Sequence, residues 1–122
     1  MTGEIYYLSS LDSARFEPVR ECRVERRLTF DSGKVAVEAR LSPTIVGQDF
    51  SRASDIDTVV LSCRHEDAEI DPVRKFPCFV FITIPRRDDY VLQSPIRSDD
   101  LDIIGWGELY GTREDAERHS FS

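Results

Sequence analysis

Lys75-Phe76-Pro77-Cys78-Phe79-Val80-Phe81-Ile82-Thr83-Ile84-Pro85 is the stretch that decides the fold class. Apolar residues fall on both parities of this run, and β-branched and aromatic types dominate it. A strand with one wet face would alternate, so the run predicts an interior strand covered on both sides. Proline at each end suits the limits of a strand, because proline cannot donate to a ladder. The stretch implies a sheet-centred core and no chemistry.

Upstream, Glu21 to Phe30 alternates. Cys22, Val24, Leu28 and Phe30 are apolar, and Glu21, Arg23, Glu25, Arg27 and Thr29 are polar, with Arg26 the one exception on the apolar side. Asp31-Ser32-Gly33-Lys34 supplies a tight turn. Val35, Val37, Ala39 and Leu41 then share one face of the next strand. Folding about Ser32-Gly33 places Phe30 opposite Val35 and Leu28 opposite Val37. The outer pairs become Arg27 with Glu38 and Glu25 with Arg40, opposite in charge and each contributing about 0.2–1 kcal/mol. Arg26 falls beside Ala39 in this register.

The remaining elements are shorter. Ile5 to Leu8 predicts a first strand, and 43–56 reads as irregular. Asp57 to Arg64 predicts a long strand, and Tyr90-Val91-Leu92 a short one. Ile103 to Tyr110 predicts the last strand, with Gly105 and Gly107 marking a bulge or a close backbone approach. Thr112 caps a C-terminal helix whose first turn carries Glu114 and Asp115. The fold class expected is α+β: a mostly antiparallel, curved sheet of five or six strands, a half-barrel, with a short C-terminal helix. An all-β sandwich is the alternative. The length of 122 residues predicts one domain, 1–122, able to fold without staples.

Composition bounds the function. The net charge is −7. Residues 1–42 hold seven basic and seven acidic side chains, and 43–122 hold nine basic and sixteen acidic, so all the excess lies in the last two-thirds. Such a surface repels phosphate backbones, so no nucleic acid is expected as a partner. It attracts a basic protein and speeds encounter with it. No run approaches the ~18 apolar residues of a membrane span, and Met1-Thr2-Gly3-Glu4 lacks the basic start of a signal peptide. Cys22, Cys63 and Cys78 form no C-x-x-C pair and no disulfide framework, which points to buried thiols and a cytoplasmic setting. Arginine outnumbers lysine fourteen to two, a bias read as GC-rich genomic composition in a bacterium.

Chemistry-bearing constellations are sparse. Cys63 and His65 share a strand face, but same-face neighbours stand about 6.5–7 Å apart at Cα, too far for a thiol–imidazole pair without bending. The loop holding Glu66, Asp67, Glu69 and Asp71 lacks the ligand order of an EF-hand, as does the turn holding Asp99, Asp100 and Asp102. No zinc spacing, phosphate loop or nucleophile elbow is present. No cofactor, metal or catalytic residue is expected. The favoured expectation is a non-enzymatic protein-binding module that meets a basic partner through those acidic residues. Bacterial immunity proteins, which neutralise basic toxins, are similar in size and charge, a resemblance of composition only. The alternative is a small-molecule-binding domain or small enzyme with a pocket near Arg26, His65 and Trp106. The stripe Trp106, Glu108, Tyr110 is a core-packing feature if buried and a binding hot spot if exposed.

Overall fold

The computed structural model describes residues 4–10, 19–45, 54–63, 78–87 and 90–120. They contain six strands: β1 (Ile5–Ser10), β2 (Arg20–Thr29), β3 (Val35–Ile45), β4 (Ile56–Cys63), β5 (Cys78–Pro85) and β6 (Leu101–Tyr110). One helix follows, α1 (Arg113–Ser120). Each strand pairs antiparallel with the next. The curved antiparallel sheet and the C-terminal helix are therefore present. The expected half-barrel goes further and closes: Tyr7 to Ser10 pair with Tyr110 to Gly107, joining β1 to β6. Closure removes both sheet edges. No helix among the described residues is long and apolar enough to cross a membrane.

The β2–β3 register differs from the one expected. The loop has three residues, not two. Phe30 N donates to the Lys34 carbonyl at 2.8 Å, and Gly33 N to the Phe30 carbonyl at 2.9 Å. Gly33 takes φ +93°, which a three-residue hairpin loop demands at that position. Leu28 thus faces Ala36, and Arg27 faces Val37. A second shift falls between Val24 and Arg26, leaving Glu25 as a bulge. Below it Cys22 and Val24 point inward. Above it the parity inverts, so Leu28 points outward and Arg26 stands opposite Glu38, not Ala39.

The barrel interior is filled by Tyr6, Leu8, Val24, Val37, Leu41, Val59, Leu61, Val80, Ile82, Ile84 and Leu109, with Cys22, Ala39, Cys63 and Cys78 between them. Small residues suit a six-stranded barrel, whose lumen is too narrow for large side chains from every strand. The bulge expected near the glycines falls at Ile104, where the β5–β6 register shifts beside Gly105.

Two parts of the outer wall are also covered. Leu28, Ala36 and Val60 point outward and pack under Leu92, Ile96 and Leu101. Residues 90–97 therefore form a strap over β2–β4, and Tyr90 to Leu92 are not a strand. The strap is tied to β2: Ile96 N donates to the Thr29 carbonyl at 2.7 Å and Asp31 N to the Ile96 carbonyl at 2.9 Å. At the other side α1 seats Ala116 against Tyr110, Val19 and Tyr7. Thr112 caps it as expected, its Oγ1 accepting from Asp115 N at 3.2 Å.

β4 is the strand buried on both faces, from Val59 to Cys63. β5 differs from its expected burial. Val80 and Ile82 are buried inside, but Phe79 is 37% exposed and Phe81 is half-buried on the outer side.

Two substitutions check this architecture. Val80→Asp places an unpaired charge in the filled lumen and should yield no soluble protein; native-like expression would contradict the packing. Gly33→Ala should lower the urea-derived stability by about 1 kcal/mol through backbone strain alone. No atom stands within 4 Å of the added Cβ, so no clash contributes.

Candidate functional site

Among the described residues, one stretch of wall carries exposed large apolar side chains on two neighbouring strands. It is the outer face of β5 and β6. Phe81 stands opposite Trp106, Phe79 opposite Glu108, and Thr83 opposite Ile103. Trp106 is 39% exposed and Ile103 63%. The parity that buries Val80 and Ile82 in the lumen forces Phe79 and Phe81 to this side. An aromatic pair flanked by an aliphatic side chain and a carboxylate has the composition of an interface anchor.

A groove of about 290 Å³ continues from this face. Its floor includes Ser62, Phe81 and Thr83. Its walls include Phe30 and Lys34 from the β2–β3 turn, and Leu101 and Ile103 from β6. The Thr83 hydroxyl donates to the Val60 carbonyl at 2.7 Å, so it is already engaged inside the sheet. Lys34 Nζ donates to the Cys63 carbonyl, which holds the turn down over β4. The exposed lining of the groove is mainly apolar, and two of its polar groups, Thr83 and Lys34, are engaged within the fold.

Asp99 and Asp100 lie in a single 3-10 turn, Ser98–Asp100, at the head of β6. Asp99 is exposed, and the Asp100 carbonyl accepts from Arg86 N at 2.8 Å. Asp102 meets Arg86 Nε at 3.0 Å. The Asp100 carboxylate accepts the Tyr90 hydroxyl. Desolvation, then the charge of Asp100 and that hydrogen bond, push the Tyr90 phenol upward. Three of the acidic residues singled out in the sequence therefore cluster beside the open face. Glu66, Asp67, Glu69, Asp71 and His65 lie outside the described residues.

Arg26 and Trp106 are not brought into one pocket. They project from β2 and β6, with β1 between them, and neither lines the groove. Arg26 instead fastens the strap, its Nε 2.7 Å from Glu38 Oε1 and its Nη2 donating to the Leu92 carbonyl at 2.6 Å. Tyr110, the third member of the Trp106 stripe, is buried under α1. Phe79, Phe81 and Ile103 were not expected at a site. Their signal was a parity split within 78–85, aromatic on one side and aliphatic on the other.

Among the described residues, no three His, Cys, Asp or Glu side chains come together as metal ligands. Burial, opposed by Arg20, pushes the Cys22 thiol up to about 12 from 9.0. No protein-family model, curated protein or solved structure matches this chain.

Burial also raises the Tyr110 phenol, helped by the charge of Glu108 and the hydrogen bond to it. Both groups are neutral acids held neutral by the fold. Their contribution is complete below the unfolded values of 9.0 and 10.0 and is lost as pH rises above them. Urea titrations should show stability falling as pH climbs from 9 towards 12. Cys22→Ala and Tyr110→Phe should each flatten part of that fall, and an unchanged slope in both would contradict it.

Proposed function

We propose that this protein is a non-enzymatic binding module that docks a basic protein on the outer face of β5–β6. The observation that carries the reading is the partly exposed Trp106 beside Phe81, Phe79 and Ile103 on two neighbouring strands. Soluble domains seldom leave such side chains together without a use. Only the exposed part of each remains to be covered, so a partner gains a fraction of the ~1.5–3 kcal/mol that full burial of such a side chain contributes. The occupant is argued from charge. Asp31, Asp99 and Glu108 border or approach this face, and the whole chain carries −7. A partner segment with an apolar anchor flanked by lysine or arginine complements it. An inhibitory role of the immunity-protein kind is one form this function would take.

A second reading is favoured by the groove. Its volume of about 290 Å³ lies near the lower end for small-molecule sites. In that reading the ligand is a small apolar molecule seated on Phe30, Phe81 and Leu101. Arg26 and Trp106 would then stand outside its site.

The test begins with capture from the native host and identification of the captured protein by cross-linking. Trp106→Ser should weaken that partner about 30-fold or more while the melting temperature stays near wild type. Asp99→Asn combined with Asp102→Asn should slow association and reduce its salt dependence. Undiminished binding by Trp106→Ser and by Phe79→Ser would sink the docking face. A metabolite co-purifying with the chain, displaced by Phe81→Trp, would favour the groove.

A further inference from the structure

The closed sheet brings two thiols together that the sequence spacing keeps apart. Cys63 ends β4 and Cys78 begins β5. Cys63 stands opposite Val80, so Cys78 is its diagonal neighbour on the same inward face. The two sulfurs lie 3.3 Å apart, and both residues are buried. A disulfide has its sulfurs about 2.05 Å apart, so bonding requires roughly 1.3 Å of approach. Side-chain rotation together with a small backbone shift at the two strand ends supplies that. Cys22 is placed differently. It sits on β2, with β3 between it and β4, and its sulfur contacts the Arg20 carbonyl at 4.0 Å.

We propose that Cys63 and Cys78 form a redox site, oxidised by hydrogen peroxide to an intramolecular disulfide that staples β4 to β5. One thiolate attacks a peroxide oxygen. The S–O bond forms, the O–O bond breaks, and hydroxide leaves as water with the thiol proton. The second sulfur then attacks the sulfenic sulfur. The S–S bond forms, the S–O bond breaks, and a second water leaves with the second proton. Two thiols lose two electrons, and peroxide gains them. Peroxide is close to water in size, so transient fraying of the strand ends admits it. The bond closes the 64–77 connection, and a loop of that length gives a disulfide substantial leverage on the unfolded chain.

The test uses the full chain in native buffer with hydrogen peroxide, followed by alkylation in denaturant and peptide mapping. The expected product has a mass lower by two hydrogen atoms, one cross-link between Cys63 and Cys78, and an alkylated Cys22. Dithiothreitol should reverse it. The melting temperature should rise by about 5–10 °C on oxidation. Cys63→Ala and Cys78→Ala should each abolish the mass change, and Cys22→Ala should leave it intact. The wild-type mapping stands even if a variant fails to fold. A cross-link through Cys22, covalent dimers, or sulfinic and sulfonic acids without a cross-link would overturn the assignment. A correct bond that leaves the melting temperature unchanged or lower would overturn its role as a staple.

Discussion

The antiparallel pairing of Tyr7–Ser10 with Gly107–Tyr110 sets the conditions for every other contact in the molecule. Once β1 joins β6, no strand of the ring presents an unpaired edge, and the inward side chains must share one narrow lumen. Tyr6, aliphatic residues and three cysteines fill it. The outward side chains then lose any choice of where to go. Wherever they are apolar, something outside the ring has to cover them, or they stay in contact with water.

Two stretches of wall are covered, each by its own device. The strap buries Leu28, Ala36 and Val60 beneath Leu92, Ile96 and Leu101. Its backbone is held by β2 carbonyl and amide groups, and Arg26 adds a side-chain tie. Arg26 itself is nearly half exposed, so its ion pair with Glu38 contributes little by charge, and its value lies in the hydrogen bond to Leu92. The helix is only eight residues long and depends on Ala116 for its seat. Arg113 assists by stacking 5.2 Å from the Tyr7 ring.

Strand positions and apolar patterns were legible in the sequence because they are local. β2, β3 and β4 follow from period-two signals, β5 from a continuous apolar run on both parities and the helix from its capping signal, with limits that move by a few residues. The register was not legible. It depends on whether the Asp31–Gly33 turn has two or three residues and on a bulge at Glu25, and neither leaves a mark in alternation alone. The turn acts on Arg26: read straight through, it falls on the apolar face beside Ala39, and with the one-residue shift of the three-residue turn it stands outward against Glu38, where an arginine is expected. The bulge at Glu25 acts on the residues before it and returns Val24 and Cys22 to the inward face opposite Ala39 and Leu41. Closure was equally hidden, because it rests on a contact between the first strand and the last.

The same limit explains the candidate site. An apolar run on both parities shows that both faces of β5 want burial, but it cannot say what buries them. For β4 the strap and the lumen supply the two covers. For β5 the lumen covers the inward side, and among the described residues the outward side is buried at Thr83 and left partly exposed at Phe81 and Phe79. Phe79 and Phe81 are therefore residues with the composition of a core in the position of a surface. Cys78, Val80, Ile82 and Ile84 supply the lumen side of β5, and Phe79 and Phe81 take no part in that cluster. A threonine on the same parity, Thr83, is buried and bonded within the sheet, which shows that polar residues are tolerated on this side. Phe79 opposite Glu108 and Phe81 opposite Trp106 thus add partly exposed apolar area to the outer wall, and the proposed docking face rests on that area.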